Sequence, residues 1–345
     1  MAAQAQTSKK GKRRLAVLIP VGLVSLFGLF MLSLSLGSVK IPLGEVWGAL
    51  TGMLDGIDPG YEKTIYYFRM PRALGTFAVG IGLSVAGVVF QAIIRNPLVD
   101  PYMTGVSSGA GFGASVLLVS GISVTVVSFM LPIAAFAFAI IAFLITFAMA
   151  TVAGGRAISY VLGGVMTAMA FGALTTIILM LNEENAHSIL SFLFGSFTRV
   201  TWDNVWIMLI PTAVISFIFL CMSRSLNVAL LGEEQSMQLG LDHRKFKLIS
   251  LSMASMLTAF AVAFVGIIGF VGLVVPHLCR MVLGGDHRLL IPASMVVGAA
   301  LMCVADIIAR SALSPQELPV GAVMTLIGIP FFAFLLMKRG KNYSS

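Results

Sequence analysis

The chain has 345 residues, 58% of them hydrophobic and only 10% charged, with a net charge of +8. Soluble domains carry about 25% charged residues and could not hide this much apolar surface. That excludes a soluble enzyme, a disordered chain and a nucleic-acid binder. The apolar residues suffice for roughly ten membrane spans of about 20 residues each.

The N-terminal tail, residues 1–14, carries Lys9, Lys10, Lys12, Arg13 and Arg14 directly ahead of the first apolar run. Basic residues beside a span mark a cytoplasmic end. The first run, 15–36, is longer than the apolar region of a signal peptide and is not closed by an A-x-A-like site, so it reads as a retained span. Further apolar runs follow at 73–94, 103–120, 123–151, 158–181, 204–222, 248–270, 271–284, 289–309 and 320–337. The run 271–284 is short and interrupted by Pro276. Ten alternating spans place both termini in the cytoplasm, with residues 15–338 as one transmembrane domain and 339–345 as a tail. The alternation leaves Lys40, Lys63, Arg69, Arg72, Arg199 and Arg310 outside and every other Lys and Arg inside.

Gly80, Gly82 and Gly87, and then Gly105, Gly109, Gly111 and Gly113, let helix backbones approach closely. Three connections are more than turns. They are an outer segment 37–72 with a short amphipathic helix near 43–54, an outer segment 182–203, and a charged cytoplasmic loop 223–247. Cys221, Cys279 and Cys303 lie in or beside apolar runs without a CxxC partner and read as buried thiols.

Several chemistries are missing from the sequence. No G-x-x-x-x-G-K-[ST] occurs, so the chain has no P-loop of its own. His187, His243, His277 and His287 show no metal-ligand spacing, and His243 and His287 sit beside Asp242 and Asp286 in what read as solvated loops. Asp306, near the outer end of the ninth run, lies four residues from Arg310, at the spacing of a helical ion pair. Carriers driven by ion gradients keep carboxylates mid-span, and this chain shows no such set. Something else must then supply the energy for transport, or the protein is a passive channel. The alternative, an ion-coupled secondary transporter, would work without any ATPase.

Four stretches, in order along nearly the whole chain, resemble one family. They are Arg69-Met70-Pro71-Arg72; Arg95-Asn96-Pro97-Leu98-Val99-Asp100-Pro101 leading into Gly105–Ala110; Gly269–Arg280 followed by Asp286-His287-Arg288; and Glu317-Leu318-Pro319-Val320-Gly321. Together they are similar to the permease subunits of type II ABC importers for iron–siderophore complexes, haem and cobalamin. Met70 stands where that family usually has Leu. The resemblance implies an all-α, polytopic inner-membrane protein of about ten transmembrane helices, working by alternating access as a homodimer or beside a close relative. It also implies two ABC ATPase subunits beneath and a substrate-binding protein outside, with no catalytic residue, cofactor or bound metal in the permease itself.

The same resemblance places an inner gate at Asn96 and Leu98. Two prolines four apart, Pro97 and Pro101, stop the flanking helices whether or not a gate is present. Within 223–247, Glu234 to Gly240 has the E-x-x-x-x-x-G spacing of the helix such permeases insert into their ATPases. Met237, Leu239 and Leu241 could fill a cleft there, and the other reading is a solvated amphipathic loop. Leu190, Phe192, Leu193, Phe194 and Phe197 resemble the short helix over the family's cavity, and a membrane-surface anchor explains them as well. Arg69, Arg72 and Arg310 match the arginines that dock an acidic binding protein. The competing reading is local salt bridges, with Glu317 as a partner for Arg310.

Overall fold

The computed structural model describes residues 2–52 and 58–340. Lys341 and the rest of the C-terminal tail through Ser345, and the end of the expected 43–54 helix, lie outside the described residues. Among those described, helices and turns account for the backbone, apart from a single bridge between Leu313 and Gln316.

Helix α1 (Ala2–Ser35) carries the basic cluster straight into the first apolar run. Helices α2 (Leu43–Thr51) and α3 (Pro59–Lys63) lie in the connecting segment 37–72. Asp58 caps α3, its carboxylate accepting from the Gly60 N–H at 2.8 Å. A π-helical turn, Thr64–Arg69, then joins α3 to α4 (Met70–Ile94). Helices α5 (Val106–Leu118), α6 (Val124–Val152) and α7 (Ala157–Leu181) follow. The connecting segment 182–203 holds α8 (Ala186–Leu193) and leads to α9 (Trp202–Cys221). The charged loop contains α10 (Ser223–Ala229) and α11 (Glu233–Gln238). Helices α12 (His243–Val265), α13 (Val271–Leu283), α14 (His287–Ser311) and α15 (Val320–Gly340) complete the chain.

All ten expected runs are helices. Seven of the helical stretches are long and apolar enough to cross a membrane, and the runs inside α5, α13 and α15 are shorter. One boundary differs: α12 stops at Val265, and residues 266–270 are irregular. Gly266, at φ +74°, ends the helix in a conformation that β-carbon-bearing residues rarely adopt.

The core forms around α4, which is buried along most of its length and packs against α9, α12, α13 and α14. Glycine makes this possible: a β-carbon at Gly80 would collide with the Gly298 backbone, and one at Gly87 with that of Gly272. On α5, Gly113 lies so close to α6 that a β-carbon would stand 2.6 Å from the Ala134 carbonyl. The Gly109-x-Gly111-x-Gly113 run is therefore a helix-packing surface. By contrast, Met169, Met180, Leu181 and Phe217 are exposed. So much outward apolar surface suits lipid or a partner chain rather than water. Cys279 and Cys303 are buried, but Cys221 is exposed, contrary to the expectation of three buried thiols. It is the last residue of α9, where that helix presents an outer face.

The two ends of the bundle differ in charge. At one end Arg69 reaches the carbonyls of Leu34 and Ser35, and the Trp202 indole donates to the Tyr66 carbonyl at 2.9 Å. At the other, Lys247 donates to the Gly155 carbonyl and Asn227 to Asp286, both at 2.8 Å. The second end gathers Arg95, Arg156 and Lys247 around one cavity with Glu233 as its one acid, and this is the basic face.

Candidate functional site

The segment between α4 and α5 is the first candidate. Helix α4 ends on Arg95 in the left-handed region (φ 54°). The Leu98 N–H then donates to the Asn96 side-chain oxygen at 2.9 Å, so the Asn96 amide is used to fold the turn itself. Leu98 projects outward, 53% exposed. Beyond it the chain re-enters the bundle: a β-carbon on Gly164, two turns into α7, would strike the Met103 carbonyl. Non-helical backbone at that depth needs partners from protein. Thr146 donates its hydroxyl to the Thr104 carbonyl at 2.8 Å, and Gln91 donates to Gly272 O at 3.2 Å and, more weakly, to Val99 O at 3.5 Å. Arg280 donates to Gln91 Oε1 at 3.0 Å.

A second irregular segment, 266–270, meets the first. The Ile268 N–H donates to the Tyr102 hydroxyl at 3.3 Å, and a β-carbon on Gly272 would stand 2.7 Å from Pro101 Cδ. Two chain breaks 166 residues apart are thus joined inside the bundle through Tyr102 and Gln91. Sequence reasoning missed both residues. The available signal was a polar amide, Gln91, inside an otherwise apolar run.

On the basic face, α11 begins after Gly232 and ends in a C-terminal capping motif. Gly240, at φ +82°, turns the chain, and the Leu241 N–H returns to the Ser236 carbonyl at 3.0 Å. Ser236 is buried and anchors the helix, its hydroxyl donating to the Val228 carbonyl at 3.0 Å. Glu234, Met237 and Leu239 face outward, with Met237 and Leu239 both more than half exposed, while Leu241 is half-buried. The Lys245 backbone N–H and ammonium hold Asp242, which caps α12, below the usual carboxylate range. Asp286 caps α14 and is bound by Arg288 and Asn227. Burial pushes its carboxyl up, yet those hydrogen bonds prevail and hold it at about 2. His243 and His287 are both buried, not solvated as their charged neighbours suggested. In each case the capping Asp stays at the surface while the next side chain turns inward.

At the opposite end, Arg69, Arg72 and Arg310 line a cavity of about 500 Å³ with Glu317, Tyr61 and Phe197. All three arginines are buried. Arg69 is taken up by the carbonyls of Leu34, Ser35 and Val39. Arg72 binds Asp306 through Nε at 3.0 Å and Nη2 at 2.9 Å, and Glu317 through Nη1 at 3.0 Å. Arg310 lies 3.5 Å from Asp306, as the four-residue spacing indicated, and donates to the Ser33 carbonyl at 2.6 Å. Glu317 pairs with Arg72 and not, as expected, with Arg310. On α8 and just after it, Phe192 and Phe197 are buried while Leu190 and Phe194 are exposed. Among the described residues no group of His, Cys, Asp and Glu could hold a metal ion.

Comparison with known proteins bears on this arrangement. Residues 25–338 match the model of the FecCD transport family. The chain is 38% identical over 302 residues to the cobalamin import system permease protein BtuC of Halobacterium salinarum, covering 86% of this chain and 80% of that one. It is 35% identical over 329 residues to the molybdate import system permease protein MolB of Haemophilus influenzae, covering 91% and 96%. A solved inward-facing structure of an ABC transporter described as of metal-chelate type superposes with a TM-score of 0.82 at 31% identity, over 94% of this chain and 99% of that one.

Proposed function

The chain belongs to the FecCD transport family, and from that premise we propose that it is the permease of an ATP-driven importer for a metal chelate, a ferric siderophore, haem or cobalamin. It is a multi-pass membrane protein and a transport subunit, not an enzyme. The observation that carries the energetic part of the reading is α11. Its exposed Met237 and Leu239 sit on the basic face of a chain whose sequence contains no P-loop. In this reading two ABC ATPase subunits receive Glu234, Met237, Leu239, Gly240 and Leu241, and a second copy of the chain completes the pathway. Both termini are cytoplasmic. Leu98, held outward by the Asn96 turn, closes the path at that end.

Docking of a substrate-binding protein runs through the arginine-lined cavity. Arg72 already has carboxylate partners, so an incoming acidic side chain would meet a cluster whose excess charge is small and buried. Such an ion pair sets register more than affinity. The molybdate relative supports a second reading, in which the cargo is an oxyanion.

Purified alone, the chain should hydrolyse no ATP. Co-expressed with its ATPase it should copurify, and Leu239→Glu should abolish that association while the permease stays folded. ATP-independent uptake by the isolated permease would overturn the reading. Vesicle uptake of labelled cobalamin, ferric siderophore, haem and molybdate, compared side by side, decides the cargo.

A further inference from the structure

The basic face holds a cavity that includes none of the proposed gate or coupling residues. It has a volume of about 180 Å³ and lies where four parts of the chain meet: Arg95 at the end of α4, Gly154–Arg156 between α6 and α7, Glu233 at the start of α11, and His243 and Lys247 on α12. Clefts that take drug-sized molecules measure about 300–1,000 Å³, so this one suits a small group.

Its charge is unbalanced. Among the described residues neither Arg95 nor Arg156 forms an ion pair. Lys247 donates to the Gly155 carbonyl at 2.8 Å and lies 5.3 Å from the centre of the Tyr160 ring, but it has no carboxylate partner. Glu233 is the one acid in the wall, and Arg244 already engages it at 3.2 Å. Three cations therefore converge on one occupied carboxylate.

Two further observations are independent of that count. His243 is only 4% exposed, and its buried Nδ1 has no hydrogen-bond partner. A buried polar atom left unsatisfied is costly, so it marks a place where a partner is missing. Gly232 leaves room for the Arg95 guanidinium, since a β-carbon there would lie 3.0 Å from Arg95 Nη1.

We infer that this cavity binds a phosphate group, either the headgroup of an anionic phospholipid or free inorganic phosphate. A guanidinium fork matches two phosphate oxygens at once, and an ammonium adds a point charge. Basic pockets among transmembrane helices take anionic headgroups in the same manner. The bound group would join Arg95, the residue that precedes the Asn96–Leu98 turn, to Arg156 ahead of α7 and Lys247 on α12, so that three parts of the chain share one brace. The site stands whatever the chain transports.

The test uses the full chain in nanodiscs. In discs of zwitterionic lipid alone, inorganic phosphate is titrated and followed by phosphorus NMR line broadening. In discs containing phosphatidylglycerol, retention of that lipid is read by native mass spectrometry. Arg95→Gln, Arg156→Gln and Lys247→Gln are compared with Arg224→Gln, an exposed cation on the same charged loop but outside the cavity. Three separate cavity variants guard against one that fails to fold. Binding in the first arm identifies free phosphate, and retention in the second alone identifies a lipid headgroup. In either arm the cavity variants should bind at least tenfold more weakly, with Arg224→Gln unchanged. Binding in neither arm, or equal loss in Arg224→Gln, would overturn the inference.

Discussion

At Asp306 a carboxylate with no exposed surface accepts from the Arg72 guanidinium at 2.9 Å and faces Arg310 at 3.5 Å. Removing one member of a buried charge set strands the others without solvent, which costs about 3–5 kcal/mol. Asp306→Asn should therefore lower stability by that order, read as detergent-solubilised thermal or denaturant unfolding. Glu317→Gln, at the more open edge of the cluster, should cost much less. Equal costs for the two would mean that burial does not govern this network. The sequence flagged all three arginines, because basic residues on the wrong side of a membrane need a reason, and it flagged the Asp306–Arg310 pair from its spacing. It could not join Arg72 to Asp306, since that contact spans 234 positions and depends on how α4 crosses α14.

Along whole elements, α4 shows why small residues recur in apolar runs. In lipid no hydrophobic force presses one helix on another, so close backbone approach supplies the attraction. A β-carbon at Gly87 would stand 2.7 Å from the Gly272 Cα, whereas one at Gly172 on α7 would meet nothing within 4 Å. Gly87→Ala should then destabilise by roughly 1–3 kcal/mol through overpacking. Gly172→Ala should be neutral or stabilising by up to ~1 kcal/mol, through the better helix propensity of alanine. Thermal unfolding of both variants in one detergent checks the pair, and similar losses would refute the packing argument. Gly272, near the start of α13, lies close both to α4 and to Pro101.

Over the whole molecule, the proposed orientation puts Lys40 outside and α11 inside. With Cys221, the exposed native thiol, replaced by Ser, a membrane-impermeant maleimide should label Lys40→Cys on intact cells and leave Leu239→Cys unlabelled. Inside-out vesicles should reverse the pattern. Labelling of Leu239→Cys from outside would invert the topology.

Local chemistry made much of this protein legible from its sequence. Apolar run length decides that a segment spans, basic residues bias which side its ends take, and paired prolines and glycines stop helices where the 95–105 segment turns back. Those signals act within a few residues, so a linear reading captures them. Only the tertiary structure decided which breaks meet. Tyr102 reaches Ile268, Gln91 ties Val99 to Gly272, and Arg95, Arg156, His243 and Lys247 enclose one cavity. Each of these depends on the crossing of helices distant in sequence. Such crossings are set by which small residues let two backbones approach, and no single segment carries that information about its partner.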